Sequence, residues 1–267
     1  MTQVSGAKSG YFTTSDGVKL HYLESGEGDP IVMIPGWSMP AWVWDKQLAG
    51  LSDTFRCIAL DPRGHGLSDK TEAGQFTERR ARDVFELFEH LNLSNAALIG
   101  WSMAVSEVLS FTAQFGTDRL AAVVLVDGVI FNPDEHVRPS FDWSKGFLRD
   151  RETWTRAFLA TMGKSTEEPD FADKLFASAM EVSSASAYGL LLEYMLSDSR
   201  EALARLDIPV LYAHCPMLAL LVAIVKATSP SVEVVSFDDA GHMLFCDAAD
   251  RFNDTIRGFH EKAKCSG

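Results

Sequence analysis

Six short, continuous apolar runs, at residues 31–34, 57–60, 96–99, 122–126, 210–213 and 232–237, constrain the fold of this 267-residue chain more than any other feature. Each ends in loop residues and is too short for a helix, which is how strands buried on both faces of a parallel sheet read. Helical patterns lie between them. Val84, Leu87, Phe88 and Leu91 recur at i, i+3, i+4 and i+7, and Phe252, Ile256 and Phe259 form one stripe near the end. Such alternation predicts a mostly parallel sheet flanked by helices. Ahead of it, alternating residues 11–14 and 18–24 flank Asp16-Gly17, the signature of an antiparallel hairpin. The hairpin brings the expected α/β sheet to eight strands.

Residues 131–200 break the alternation. They hold no strand pattern but carry Phe131, Phe141, Trp143, Phe147, Trp154, Phe158, Phe171, Phe176 and Tyr188. This segment reads as a helical lid inserted after strand six, over a core built from residues 1–130 and 201–267.

Charge narrows the partners. With 24 basic and 37 acidic side chains the net charge is −13, so the surface repels phosphate backbones and anionic headgroups. Nucleic acid and membrane partners are not expected, and a monomer or homodimer acting on a small molecule is. The four cysteines, Cys57, Cys215, Cys246 and Cys265, have no CxxC spacing, and a reducing compartment fits them. The first ten residues lack an apolar leader core, and the apolar run 217–225 is too short to span a bilayer, so a cytoplasmic location is expected.

Gly100-Trp101-Ser102-Met103-Ala104 joins the strand at 96–99 to a helical pattern at 105–115. A sharp strand-to-helix reversal forces its central residue into strained backbone geometry and lifts that side chain clear of the sheet, as a serine nucleophile requires. Flanking positions must be small; Ala104 is one methyl larger than the usual glycine. The plainer alternative for Ser102 is a helix-capping serine.

The chain resembles the α/β-hydrolase superfamily over nearly its full length. The residues that carry the likeness are Ile34-Pro35-Gly36-Trp37, Asp61-Pro62-Arg63-Gly64-His65-Gly66-Leu67-Ser68, the Gly100–Ala104 elbow and Ala240-Gly241-His242, in the family's order. The resemblance implies an α/β-hydrolase fold and casts His242, after the last strand, as the base that activates Ser102. The alternative is a loop histidine bonded to backbone. His65 and His214 are expected near the crevice in structural or lining roles; His21, His90, His136 and His260 read as surface or loop positions. No histidine pair has metal-ligand spacing and no GxGxxG follows an early strand, so neither metal nor organic cofactor is expected.

One member of the expected triad departs from the family pattern. Most relatives carry the acid just after strand seven, but no Asp or Glu occurs between Val210 and Val232. Relatives such as haloalkane dehalogenases and zearalenone-type lactone hydrolases keep it after strand six, which casts Asp127 as the acid, on a strand expected two places from the nucleophile strand. Its alternative is an Asx turn. Asp238 and Asp239 lie too near His242 in sequence to aim at it, and Asp61 is expected to organise its own loop with Arg63. Arg63, Arg138, Arg149 and Arg151 read as exposed loop cations rather than substrate anchors.

The resemblance further implies an oxyanion hole from the main-chain N–H groups of Met103 and Trp37. Pro35 stands where the family often has histidine, so support for that loop must come from elsewhere, with Ser38 the candidate. Trp37, Trp101, Phe131, Trp154 and Met243 are the expected pocket walls, and apolar walls suit an uncharged substrate. The leading expectation is a serine hydrolase that cleaves carboxylic esters or lactones of a largely apolar small molecule through an acyl-enzyme. The fold also admits polyketide-type lactone hydrolysis, cofactor-free perhydrolase or haloperoxidase chemistry, carbon–carbon bond hydrolysis and a non-catalytic small-molecule receptor.

Overall fold

The computed structural model describes the backbone of residues 6–266; residues 1–5 and 267, and the side chains of residues 265 and 266, lie outside the described residues, among them the leader position and the Cys265 thiol. Eight strands form: β1 (Lys8–Thr13), β2 (Lys19–Ser25), β3 (Asp29–Ile34), β4 (Phe55–Asp61), β5 (Ala96–Trp101), β6 (Leu120–Val126), β7 (Val210–His214) and β8 (Glu233–Ser236). They make one sheet in the order β1-β2-β4-β3-β5-β6-β7-β8. The β1–β2 hairpin turns at Gly17, β2 runs antiparallel to β4, and all later neighbours are parallel. Every residue of β5 and of β7 is buried, which is why their sequences are continuous apolar runs rather than alternating ones.

Helices follow in the order α1 (Asp45–Gly50), α2 (Thr77–His90), α3 (Ala104–Phe115), α4 (Asp134–Arg149), α5 (Arg151–Leu159), α6 (Pro169–Glu181), α7 (Ser184–Leu196), α8 (Arg200–Ala204), α9 (Val222–Thr228), α10 (Leu244–Asp247) and α11 (Ala249–Ser266). Alternate strand residues feed opposite faces of the sheet. Ile31, Met33, Ile99 and Val124 pack with Leu48 of α1 and with Phe252, Ile256 and Phe259 of α11. Val32, Leu98, Val123 and Leu125 pack with Val84, Leu87 and Phe88 of α2 and with Val108 of α3. Between β6 and β7 the chain forms α4 to α8, and the segment carrying α4 to α7 closes on itself where Phe131 bridges Asp198.

The strand order corrects one expectation: β6 lies directly beside β5, not two places away. Trp101 pairs with Val126, and Val126 with Ala213, so the residues that follow these strands emerge side by side at one sheet edge. In a parallel open sheet that carboxyl edge is where ligands bind.

Candidate active site

Ser102 sits at the reversal between β5 and α3 with φ 57°, in the left-handed region that serine rarely adopts. Its N–H donates to the Val126 carbonyl at 2.8 Å, which ties the bend to β6. Close packing explains the small neighbours. A Cβ on Gly100 would lie 2.5 Å from the Ala104 carbonyl oxygen and 2.7 Å from a Val108 methyl. Ala104 is itself fully buried at the start of α3, so the extra methyl is accommodated.

His242 follows β8 and reaches back to the bend: its Nε2 is 2.8 Å from Ser102 Oγ, and its Nδ1 is 2.7 Å from Asp127 Oδ2. A carboxylate only accepts, so Nδ1 carries the hydrogen and the Nε2 lone pair faces the serine hydroxyl. Asp127 is wholly buried with φ 45°, and its N–H donates to the Ala213 carbonyl at 2.7 Å. Two further donors hold the carboxylate, both from Cys215: the N–H to Oδ1 at 2.8 Å and the thiol to Oδ2 at 3.1 Å. Beyond it, Tyr212 donates its hydroxyl to the Gly128 carbonyl at 3.1 Å, and the Val129 N–H donates to the Tyr194 hydroxyl oxygen at 2.7 Å. Burial holds both phenols well above their ordinary pKa, so they stay protonated. Gly128 has no room for a side chain, since a Cβ would meet the Ser102 carbonyl oxygen at 2.4 Å.

Three expected pocket walls lie elsewhere. Trp101 is the residue before the bend, and strand alternation turns its ring into the core, 5.0 Å from Phe245 and 5.2 Å from the His242 ring. Its Nε1 donates to the His242 carbonyl at 2.9 Å, so it props the histidine loop from beneath. Met243 is also fully buried, its N–H donating to the Met162 carbonyl at 2.8 Å. Phe131 packs against the core on the α2–α3 side of the sheet, beneath the Arg200 guanidinium at 3.5 Å.

Trp37 and Met103 do meet over the bend, in a buried cluster with Phe147, Trp154, Leu190 and Met195 from the inserted helices. Trp37 is edge-on to Trp154 and Phe158 at 5.7 and 5.5 Å, and its Nε1 donates to the Ala187 carbonyl at 2.7 Å. Of the other insert aromatics, Phe147 and Tyr188 join this cluster, Phe171 packs on Trp42, Phe176 lies under Arg156, and Phe141 and Trp143 stand largely exposed.

The segment Gly36–Met39 is a turn closed by the Met39 N–H on the Gly36 carbonyl at 3.2 Å, with Ser38 at φ 57°. Positive φ at the third position is the type II pattern, which leaves the second residue's N–H outside the turn's own hydrogen bond. Among the described residues, neither the Trp37 nor the Met103 N–H donates to another protein group. Gly36 packs so close to the bend that a Cβ would lie 3.0 Å from the Ser102 Cβ and 3.1 Å from the Trp101 ring. Ser38 does not brace this loop as expected, because its fully buried hydroxyl has no partner among the described residues. Gly36→Ala should therefore shift the turn by a few tenths of an ångström and lower kcat about tenfold to a hundredfold, with the melting temperature little changed. Steady-state kinetics beside thermal melts checks it; unchanged kcat in a folded variant would separate this turn from turnover.

The expectations for His21, His260 and the pairing of Asp61 with Arg63 need correction. His21 and His260 are buried, bonded to Asp61 at 2.7 Å and to Asp29 at 3.0 Å. Asp61 accepts from the Leu67 and Ala41 N–H groups, whereas buried Arg63 pairs with Asp83 at 2.6 Å and with Asp16, not with Asp61. His65 is buried and its pKa is pushed down to about 3, chiefly by burial and also by Arg80, so it is neutral at physiological pH. His214 is buried with Nδ1 at 3.0 Å from the Cys215 carbonyl. Asp239 turns outward to Arg251 at 3.2 Å. The residues that sequence reasoning missed are Cys215, Tyr194 and Tyr212, which hold the Asp127 loop from 65 to 88 positions away; the only local hint was a cysteine where the usual acid is missing.

Comparison with known proteins agrees with this architecture. A model of the alpha/beta hydrolase fold family matches residues 29–249. A non-heme chloroperoxidase from Streptomyces lividans is 32% identical over 222 residues, covering 77% of this chain and 80% of the relative. A bifunctional esterase/perhydrolase from Acinetobacter calcoaceticus is 29% identical over 223 residues, covering 77% and 80%. The solved structure of an esterase from Exiguobacterium antarcticum superposes with a TM-score of 0.86 at 21% identity, covering 94% of this chain and 98% of that one. With the sheet order, the strained bend between β5 and α3 and a family match across most of its length, the chain belongs to the α/β-hydrolase family.

Proposed function

We propose that the protein is a serine hydrolase that cleaves carboxylic esters, lactones included, of largely apolar small molecules. The observation that carries this reading is the unbroken hydrogen-bond chain from Asp127 through His242 to Ser102, beside two uncommitted main-chain N–H groups. Ser102 Oγ attacks the carbonyl carbon while His242 Nε2 takes its proton. The N–H groups of Trp37 and Met103 hold the oxyanion. Collapse breaks the carbon–oxygen bond, His242 returns the proton to the leaving alkoxide, and water repeats the sequence to free the acid. Asp127 fixes the imidazole tautomer and stabilises the imidazolium.

The inserted helices act as a lid in this reading, their aromatics closing over Trp37 and Met103. A groove of about 720 Å³ between α4 and α7 shares Met195 with that cluster; Val137, Phe141, Leu192 and Leu196 line it together with the charged Asp134, Arg138, Asp142 and Lys145. The apolar cluster around Trp37 and Met103 favours uncharged groups, because an unpaired ion is costly to bury there. The chloroperoxidase and esterase/perhydrolase relatives favour a second outcome at the same site, in which hydrogen peroxide replaces water on the acyl-enzyme and releases a peracid.

A panel of p-nitrophenyl esters and macrolactones tests the reading. Multiple turnover of the butyrate ester, with fluorophosphonate labelling mapped to Ser102, is the expected result. Tight ligand binding with a large melting shift and no turnover would replace the enzyme by a receptor. Peracid formation from acetate and hydrogen peroxide measures the second outcome.

A further inference from the structure

The Asp127 carboxylate is fully buried, yet among the described residues no lysine or arginine pairs with it. A buried carboxylate without a cation depends on hydrogen-bond donors, and each donor to the charged form draws on the charge available to its other partners. Three donors reach this one. His242 supplies one and Cys215 supplies two, with the Cys215 thiol on the same Oδ2 that accepts from His242.

We propose that Cys215 is a positioning residue that sets the basicity of His242 by sharing Asp127 Oδ2 with it. The proposal rests on the serine hydrolase reading for its kinetic consequence, but its contacts do not. The main-chain N–H anchors Oδ1 and fixes the carboxylate plane; the thiol competes with the imidazole for Oδ2. Both belong to the residue that follows β7, beside β6 whose end leads into Asp127, so the acid is gripped between two neighbouring strand ends. The Cys215 side chain is buried and its thiol is pushed up to about 12, by burial first and then by Asp127 itself, so it remains a neutral donor throughout the working pH range. Among the described residues the other titratable groups that face Asp127 are Tyr194 of α7 and Tyr212 of β7, both neutral there, so His242 is the partner whose charge changes.

The sign follows from the competition. Removing the thiol hydrogen bond leaves more of the Asp127 charge for the imidazolium, which raises the pKa of His242. In Cys215→Ala, and in the volume-keeping Cys215→Val, the acidic limb of kcat/KM should move up by about half a unit to one unit. Cys215→Ser, which restores a donor, should return part of that shift. The His242 titration is also followed directly, by NMR of the full chain labelled at histidine Cε1, in each variant and again with Asp127→Asn. There the effect of Cys215→Ala should vanish, because the shared oxygen is gone.

A His242 titration within about 0.2 units of the parent in both the alanine and valine variants would overturn the proposal and leave Cys215 a packing residue. An undiminished shift in the Asp127→Asn background would overturn it as well, since it would then act by another route. Absence of ester turnover in the parent counts against the hydrolase reading alone, because the NMR titration reads the coupling without it. Either the alanine or the valine variant suffices if the other fails to fold.

Discussion

Ser102→Ala is expected to lower kcat on a p-nitrophenyl ester by about 10⁶, the loss seen when the nucleophile of a serine protease triad is removed. That factor corresponds to about 8 kcal/mol of barrier. The fold should survive. Alanine replaces a partly exposed side chain whose hydrogen bond runs to a histidine at the site rim, and α3 still caps the bend through the Val105 N–H on the residue 102 carbonyl at 3.0 Å. Substrate affinity should persist, because the apolar cluster of Trp37, Met103 and Trp154 is untouched. Fluorophosphonate labelling should disappear. Active-site titration, calorimetry with an unreacted ester and thermal melts on the same preparation separate these effects. Turnover equal to the parent in a folded variant would place the chemistry elsewhere, whatever the quality of the Asp127–His242 contact.

The fold was legible because its central strands are buried on both faces. Runs such as 96–99 and 210–213 cannot pack any other way, and the stripe of Val84, Leu87 and Phe88 could only face a core. Ser102 was legible for a local reason: Gly100 and the short interval to α3 are demanded by contacts within five residues. Strand order was less so. Nothing in the run 122–126 says which neighbour it takes, and the register of Trp101 with Val126 comes from packing across more than twenty residues. Side-chain direction failed where one residue decides it. Trp101 and Met243 adjoin Ser102 and His242 in sequence, yet the alternation of β5 and the tie to Met162 turn both into the core. Arg63, His21 and His260 read as surface residues because their partners, Asp83, Asp61 and Asp29, lie 20 to 231 positions away.

Asp127→Asn carries the second large effect, about 10⁴ in kcat, and the hydrogen bonds around the carboxylate say why. The Cys215 N–H donates to Oδ1, so an asparagine at 127 keeps its carbonyl oxygen there. Its amide nitrogen then takes the place of Oδ2, which accepts from His242 Nδ1 at 2.7 Å and from the Cys215 thiol. An amide N–H facing Nδ1 favours the tautomer protonated on Nε2, and that nitrogen can no longer accept the Ser102 proton. The lesion is therefore in proton transfer rather than shape. KM should change little, the melting temperature should stay near that of the parent because the side chains are isosteric, and labelling of Ser102 should slow in step with kcat. Asp239→Asn, whose carboxylate pairs with Arg251 at the surface, should keep nearly full activity. If Asp127→Asn turned over within about tenfold of the parent while a different carboxylate variant collapsed, the imidazole would be oriented by that other group, and the geometry at the end of β6 would be an Asx turn and nothing more.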